Sequence, residues 1–302
     1  QIAKQLNYEL PNQLDRLSPV SNSEVSITPP RKNQQEEKFL EFKGKQICLC
    51  SWGSQNHPVV LCIHGILEQG LAWQEVALPL AAKGYRVVAP DLFGHGRSAH
   101  LEIATSYNFL TFLAQIDRVI QELPEQPLFL VGHSMGAMLA AMIASVRPDK
   151  IKGLMLVEPP VPAEEKKQEP VNQLRTFLEY FASPPQHPIF PDVATAARRL
   201  RQVTPALSSD FSYILAERTT QPCEGGVIWS WDAILRTRSP LSFSSFSGGR
   251  DQYLSMLKQI QVTTLLVYGD SSKMNRPEDL QQQQIAMTQA KKVFVSGGHN
   301  LH

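Results

Sequence analysis

The segment Gly132-His133-Ser134-Met135-Gly136 has the residue types and the spacing of an activated serine. The apolar run "LFLV" precedes it and the small-residue run "AMLAAMIA" follows, so a strand would lead into the serine and a helix would leave it. In this context the two glycines allow the strand and helix backbones to approach closely around a strained turn. The pattern predicts that Ser134 is a nucleophile for acyl transfer.

A serine nucleophile needs hydrogen-bond donors for the oxyanion that forms when it attacks a carbonyl group. In "VVLCIHGILEQG" a predicted strand runs up to His64, and the loop after it can direct the backbone N–H of Ile66, or of Leu67, toward that oxygen. The N–H of Met135 is the predicted second donor. His64 itself is predicted to organise the loop rather than to act as a base.

The general base is predicted near the end of the sequence. His299 follows the apolar run "KKVFV" through two glycines and comes after the serine in chain order. A histidine in this position would accept the serine proton and return it to the leaving group. His302 is a weaker candidate for the same role.

Two acidic residues stand at the ends of predicted strands and could orient the base. Glu158 follows "GLMLV" and precedes two prolines, and Asp270 follows "TLLVYG". A carboxylate at either place could fix the tautomer of the histidine and stabilise the imidazolium. The residues alone leave both candidates open.

Eight apolar segments predict the sheet that must position these side chains. The first two alternate and indicate an antiparallel pair, whereas the other six are continuous and separated by helical patterns, as is typical of parallel strands covered on both faces. We therefore predict an α/β fold with a mostly parallel eight-stranded sheet and helices on both faces. The segments are "FLEFK", "QICLCSW", "PVVLCI", "YRVVA", "PLFLV", "GLMLVE", "VTTLLVYG" and "KKVFV".

Two parts of the chain depart from this alternation. Residues 1–38 are polar and cannot bury enough surface to offset the entropy of ordering, so we predict an interdomain linker before a domain of residues 39–302. Helical patterns replace strand patterns between about residues 160 and 247, which predicts a lid insertion. Because the chain starts at Gln1 without Met, we expect it to be a piece of a longer protein.

The composition excludes several classes of function. Of 302 residues, 42% are hydrophobic, and 29 basic residues against 28 acidic ones give a formal net charge of +1, so no strong field exists to bind nucleic acid or an anionic membrane. No apolar run approaches the roughly 20 residues of a membrane span, and the first residues lack a signal peptide, so we expect a cytoplasmic protein. The four cysteines lack C-x-x-C spacing, and no metal site is predicted.

The segments "HGILEQG", "DLFGHGRS", "GHSMG" and "GGHNLH", in this order, resemble the α/β-hydrolase fold over residues 39–302. In the second segment, Asp91 and His95 are expected to shape a loop. The resemblance does not specify the substrate, because this fold includes esterases, thioesterases, C–C hydrolases and even receptors.

A narrower resemblance follows from "HGILEQG", "LVEPPVP", "RTRSP", "GDSSKMNRPEDL" and "SGGHNLH". These segments are similar to the carboxy-terminal thioesterase of cyanobacterial modular polyketide synthases of the curacin type. The resemblance implies hydrolysis of a carrier-bound thioester whose β-hydroxyl an upstream sulfotransferase domain of the same synthase has sulfated. Loss of CO2 and sulfate would then leave a terminal alkene.

The resemblance also implies particular residues. Ordinary members of the fold take the acid after strand seven, where Asp270 stands, and without the resemblance Asp270 would be favoured; the curacin type takes it after strand six, which favours Glu158 and a Ser134-His299-Glu158 triad. The sulfate ester would be bound by Arg238, with Asn300 as a second polar contact, since a guanidinium forms a planar charged fork. Arg236 is expected to be solvated. Arg198, Arg199 and Arg201 are expected on a solvated helix face, or where the acidic surface of a carrier protein docks.

These implications define the partners and the rival functions. The substrate would arrive on the phosphopantetheine arm of an acyl carrier protein, no metal or organic cofactor would be needed, and a homodimer stays open. The nearest alternative is a general serine esterase, thioesterase or C–C hydrolase of small molecules that uses Asp270 and needs no anion site. A binding module on a hydrolase scaffold is the alternative from another class.

Overall fold

An eight-stranded sheet forms the centre of the computed structural model, which describes residues 35–102, 107–162, 185–236 and 249–302 and a few positions between 171 and 183. Two further strands pair separately as a hairpin. In chain order the strands are β1 (Glu36–Phe42), β2 (Lys45–Trp52), β3 (Val59–Ile63), β4 (Arg86–Pro90), β5 (Leu128–His133), β6 (Ile151–Val157), β7 (Thr220–Cys223), β8 (Gly226–Trp229), β9 (Thr264–Gly269) and β10 (Lys291–Val295).

The strand order across the sheet is β1-β2-β4-β3-β5-β6-β9-β10. The pairs β1–β2 and β2–β4 are antiparallel, and all other neighbours are parallel. The prediction of an α/β fold with a mostly parallel eight-stranded sheet is therefore confirmed. Because the carboxyl ends of parallel strands meet at one edge, the loops after β3, β5, β6, β9 and β10 converge there.

Helices cover both faces of the sheet and explain why its central strands are continuous apolar runs. In β3, Val59, Leu61 and Ile63 pack into one core cluster, whereas Val60 and Cys62 pack into the other. All five residues of this strand are buried. The helices in the described residues are α1 (Gln74–Ala82), α2 (Phe109–Glu122), α3 (Met135–Val146), α4 (Val193–Val203), α5 (Ser209–Thr219), α6 (Gly249–Leu257) and α7 (Pro277–Ala286).

The described part of the predicted insertion contains α4, α5 and the β7–β8 hairpin. The sequence pattern predicts the helices but not the hairpin. Its turn is made by Glu224 and Gly225. Gly225 and Gly226, the first residue of β8, have φ angles of 87° and 147°, which only glycine readily adopts. Aromatic side chains, including Phe190, Trp229 and Trp231, form a separate apolar cluster with α4 and α5. That this insertion acts as a lid stays a prediction.

A buried ion cluster joins the insertion to the sheet. Arg218 of α5 donates to the Asp91 carboxylate at 2.8 Å and to the Glu37 carboxylate at 2.7 Å, and its side chain is 3% exposed. Asp91 is fully buried and also accepts the backbone N–H groups of Gly70 and Arg97. Asp91 therefore shapes its loop, as the sequence predicts, and also anchors α5.

Strand β1 begins at Glu36 and therefore includes the last three residues of the predicted linker; the division into a linker and a domain stays a prediction. Glu36, Glu37 and Lys38 pair with Ser51, Cys50 and Leu49 of β2, a register that composition alone does not reveal. At the opposite edge, all five residues of β10 are exposed. Among the helices of the described residues, none is both long enough and apolar enough to cross a membrane.

Candidate active site

Ser134 occupies a strained turn between β5 and α3. Its φ and ψ angles are 52° and −119°, and such backbone conformations cost about 1–3 kcal/mol outside glycine. A Cβ atom on Gly132 would lie 2.3 Å from the carbonyl oxygen of Gly136, and one on Gly136 would lie 2.3 Å from that of Ile63. Both glycines are therefore required where β3, β5 and α3 meet, and the turn holds the serine at the edge of the sheet.

The predicted oxyanion donors lie on two segments beside the serine. Ile66 follows β3 in a loop whose next residue, Leu67, has a φ angle of 63°. This loop is close to the nucleophile, since a Cβ atom on Gly65 would lie 3.3 Å from the Cβ of Ser134. Met135 is the first residue of α3, and the first N–H groups of a helix have no partner within that helix. Both segments therefore offer backbone donors on the serine side of the sheet.

His299 follows β10 and points its two ring nitrogens into different surroundings. Nδ1 lies 3.0 Å from the Glu158 carboxylate, whereas Nε2 is buried with no hydrogen-bond partner within the described ranges. In the neutral ring, a proton on Nδ1 directed at the carboxylate leaves a lone pair on Nε2. Burial lowers the pKa of His299, and Glu158 only partly opposes this effect. The ring is therefore kept neutral and ready to accept a proton at Nε2.

Glu158 is held in place by hydrogen bonds to both of its oxygens. The Gly269 N–H donates at 2.7 Å and the Asn275 amide at 3.0 Å to Oε1, and the Ser272 hydroxyl donates to Oε2. Burial raises the pKa of the Glu158 carboxyl, but hydrogen bonds from His299, Ser272 and Gly269 outweigh it and leave the pKa below its usual range. The carboxylate is therefore ionised and fixed against His299.

Asp270 has a different place in the structure. It is exposed, and its carboxylate accepts the Gly297 N–H at 3.1 Å in the turn that leads to His299. Of the two predicted acids, the structure brings Glu158 to the histidine ring and places Asp270 against the backbone of the preceding turn. Gly269 leaves room for this turn, because a Cβ atom there would lie 2.4 Å from the carbonyl oxygens of Gly297 and Gly298.

Comparison with protein families gives one match over most of the chain. The family model described as alpha/beta hydrolase fold matches residues 58–302. The chain belongs to the α/β-hydrolase family.

Two curated relatives are a serine hydrolase-like protein of Danio rerio and epoxide hydrolase 3 of Siraitia grosvenorii. The first is 25% identical over 222 residues, covering 72% of this chain and 66% of the relative, and the second is 40% identical over 123 residues, covering 41% and 38%. This α/β-hydrolase thus spans less than two thirds of either relative.

Solved structures add a much more similar protein. The thioesterase domain from the curacin biosynthetic pathway is 77% identical, with a TM-score of 0.86, and the match covers 89% of this α/β-hydrolase and 95% of that domain. A hypothetical protein from Pseudomonas aeruginosa, 24% identical with a TM-score of 0.77 over 88% of this chain and 93% of its own, shares the fold. The predicted resemblance is confirmed, and the matches together support a hydrolase.

Of the two residues predicted to bind sulfate, the structure describes only Asn300. Arg238 and the side chain of Arg236 lie outside the described part of this α/β-hydrolase. Asn300 is described, and its side-chain amide donates to the Thr204 hydroxyl at 2.8 Å, which connects the loop of His299 to the end of α4. The sulfate-binding roles of Arg238 and Asn300 stay predictions.

The remaining histidines near the site have structural partners. His64 Nε2 accepts the Leu92 N–H at 3.0 Å, so its Nδ1 proton is directed at the Gly65 carbonyl at 2.7 Å, and burial lowers its pKa. These bonds fit the predicted role of organising the loop. The ring of His95 is likewise buried, with Nδ1 3.0 Å from the Phe93 carbonyl.

Glu68, His133 and His302 bring metal-ligand types of atoms within 4.8 Å of one another, in the part of the chain that the structure describes. Glu68 and His133 are engaged with other groups of the protein. The Glu68 carboxylate accepts the Gly65 N–H at 2.6 Å and lies 3.0 Å from His133 Nδ1. His302 packs its ring on Trp73, with 4.5 Å between ring centroids. We assign no metal to this group, and the expected metal-free site stays a prediction.

Sequence reasoning missed the residues that support the predicted ones. Ser272 and Asn275 hold Glu158, and their signal was present in "GDSSKMN", a polar segment directly after a strand at the same edge of the sheet. Glu68 and His133 were overlooked although each is next to a predicted motif residue or within two residues of one. Their importance depends on contacts across the sheet edge, which a single sequence does not display.

Proposed function

We propose that this chain is the chain-terminating thioesterase of a polyketide synthase, and that it releases a β-sulfated acyl chain as a terminal alkene. The main support is the 77% identity to the curacin thioesterase domain over 89% of the chain. The contact between Glu158 and His299 adds to it, since the curacin resemblance implies an acid after the sixth strand. A general esterase would need neither feature.

The proposed acylation uses the serine, the histidine and the glutamate as a unit. Ser134 Oγ attacks the thioester carbonyl while His299 Nε2 takes the hydroxyl proton, and the Glu158 carboxylate stabilises the imidazolium. The N–H groups of Ile66 and Met135 stabilise the oxyanion. The C–S bond then breaks, and His299 returns the proton to the phosphopantetheine thiolate. Water attacks the acyl-serine by the same route and releases the β-sulfated acid.

The proposed second stage is a decarboxylation coupled to loss of sulfate, and it needs no cofactor. In the released carboxylate the bond between C1 and C2 breaks, CO2 leaves, and its electron pair forms the double bond between C2 and C3. The C3–O bond breaks at the same time, and sulfate leaves with the electron pair of that bond. Arg238 would bind the sulfate and stabilise the departing charge. Asn300 gives one N–H to Thr204, and the proposal assigns its second N–H to the sulfate.

The proposed partners follow from this substrate. An acyl carrier protein presents the chain on its phosphopantetheine arm, and a sulfotransferase domain of the same synthase acts beforehand. No organic cofactor takes part in either stage, and the reaction belongs in the cytoplasm. The segment that precedes β1 would connect this domain to the preceding one.

The test compares two carrier-bound thioesters that differ only in a β-hydroxyl or a β-sulfate, with acid, CO2, sulfate and alkene quantified. Wild type should form alkene from the sulfated substrate alone, Ser134→Ala should form no product, and Arg238→Ala should lose most alkene formation. Arg201→Ala is the matched control, since this arginine is exposed on α4 and donates to the Leu207 carbonyl. Equal hydrolysis of both substrates to plain acids would return the protein to the general esterases and thioesterases.

A further inference from the structure

His133 is buried next to the proposed nucleophile and contacts two other segments of the site. It precedes Ser134 in β5 and is 1% exposed. One ring nitrogen faces Glu68, in the loop of the oxyanion donors, and the other faces the backbone of His299, the proposed base. A single buried ring therefore joins three parts of the candidate active site.

Both ring nitrogens of His133 face hydrogen-bond acceptors. Nδ1 lies 3.0 Å from Glu68 Oε2, and Nε2 lies 2.9 Å from the His299 carbonyl oxygen. A neutral imidazole has one N–H group and could satisfy only one of them, whereas the imidazolium has two. The carbonyl cannot donate, so the geometry requires one additional proton in the Glu68–His133 pair.

The extra proton belongs on the histidine. Burial raises the pKa of Glu68, but His133 and His302 outweigh it and hold that pKa well below its usual range. Burial lowers the pKa of His133, yet the Glu68 carboxylate outweighs burial and raises it. The titratable groups that face this pair from neighbouring elements are Glu158, which is ionised, and His299, His302 and His64, whose pKa values burial lowers. Both pKa directions favour a buried imidazolium and carboxylate.

The carboxylate extends this connection into the oxyanion loop. Glu68 Oε2 accepts the Gly65 N–H at 2.6 Å, one residue before the proposed donor Ile66. The loop contains the left-handed residue Leu67, so its shape is costly unless contacts hold it. Gly65, Glu68, His133 and His299 thus form one continuous hydrogen-bonded chain from the oxyanion loop to the base.

We propose that Glu68 and protonated His133 are positioning residues that hold the oxyanion loop and the base in register with Ser134. This role rests on the serine chemistry proposed above but not on a sulfated substrate. Deprotonation of His133 at high pH removes one of its two donors and releases either the loop or the base. Acylation of Ser134 should therefore fall at alkaline pH because of His133.

The direct test is the nitrogen NMR spectrum of the whole chain labelled with 15N-histidine. Both ring nitrogens of His133, assigned in the wild type through bonds to its backbone signals, should have protonated shifts at neutral pH. A neutral ring with one unprotonated nitrogen at neutral pH would overturn the proposal. This result does not depend on activity or on the stability of a catalytic variant.

The functional test is the rate at which a fluorophosphonate labels Ser134. His133→Asn keeps a donor near Nδ1 and His133→Gln one near Nε2, and both are uncharged. Each should slow labelling on the order of 10- to 100-fold, a size that small misplacements of catalytic groups produce. In each variant the labelling rate should no longer fall at alkaline pH. The control is His100→Asn, at an exposed histidine whose ring contacts the Ser230 carbonyl, and it should leave the pH profile of labelling unchanged.

The outcomes distinguish this proposal from the function above. Wild type labelled at Ser134 but forming no alkene would contradict the sulfated substrate alone. Wild-type rates and an unchanged alkaline limb in both His133 variants would contradict the positioning role alone. Circular dichroism and thermal unfolding identify a variant that fails to fold, in which case the NMR result on wild type decides.

Discussion

At the scale of single residues, Glu158 combines an unfavourable backbone with a well-held side chain. Its φ angle is 51°, which is uncommon for a residue with a long side chain. The conformation persists because the backbone N–H donates to the Val267 carbonyl at 2.8 Å while the carboxylate receives its own set of donors. This strained backbone directs the carboxylate from the end of β6 toward the ring of His299.

Glu158→Gln should lower kcat on the order of 10³- to 10⁴-fold, because an amide N–H facing Nδ1 favours the histidine tautomer that cannot accept a proton at Nε2. Asp270→Asn is the matched control and should change kcat by only about twofold, as surface substitutions usually do. Steady-state kinetics on any accepted thioester measures both. A large loss in the Asp270 variant with little in the Glu158 variant would reverse the assignment.

The acid limb of kcat/KM should lie below pH 6.5, the ordinary pKa of histidine. In the proposed mechanism His299 acts as base when it is neutral, and burial lowers its pKa, so the neutral form persists into mildly acidic solution. A pH profile between 4.5 and 8 measures this limb. A midpoint above 6.5 would show that the charged ring is favoured in the folded protein.

At the scale of elements, the junction of β3, β5 and α3 sets the shape of the site. Gly136→Ala should destabilise the protein by about 1–3 kcal/mol, because the added carbon would lie 2.3 Å from the Ile63 carbonyl and the backbone cannot yield cheaply. Urea unfolding measures the loss. Gly298→Ala is the control for added volume, since no atom lies within 4 Å of its Cβ. Equal stability of the two variants would contradict the required close approach.

The attachment of α5 depends on one buried arginine. Arg218→Ala should lower the free energy of unfolding by about 3–5 kcal/mol, because it leaves the fully buried Asp91 carboxylate without its cation. The control is Arg147→Ala, which breaks a surface ion pair with Asp117 and should cost less than about 1 kcal/mol. Similar losses in the two variants would mean that the buried cluster contributes no more than a surface pair.

At the scale of the whole molecule, stability should fall as pH falls below about 4. Asp91 and Glu158 have pKa values held below their usual range in the folded protein, Asp91 chiefly by Arg218 against the effect of burial. A carboxyl with a lowered folded pKa contributes stability above its unfolded pKa and loses it as pH falls through the folded one. Unfolding free energies between pH 7 and pH 3 test this, and constant stability to pH 3 would contradict it.

The sequence predicted the sheet, the serine turn and the histidine because each has a local pattern. Continuous apolar runs mark the strands, and a glycine on each side of Ser134 marks the turn. The choice of acid needed the resemblance, since Glu158 and Asp270 look alike at strand ends. The β7–β8 hairpin, Arg218 and the Glu68–His133 pair escaped prediction because long-range contacts decide their roles.

The ends of β6 and β9 lie side by side, and this chain has an acid at each. During evolution the triad acid can therefore move from one strand to its neighbour without a stage that lacks a carboxylate at this edge of the sheet. The nucleophile and the base need not move with it.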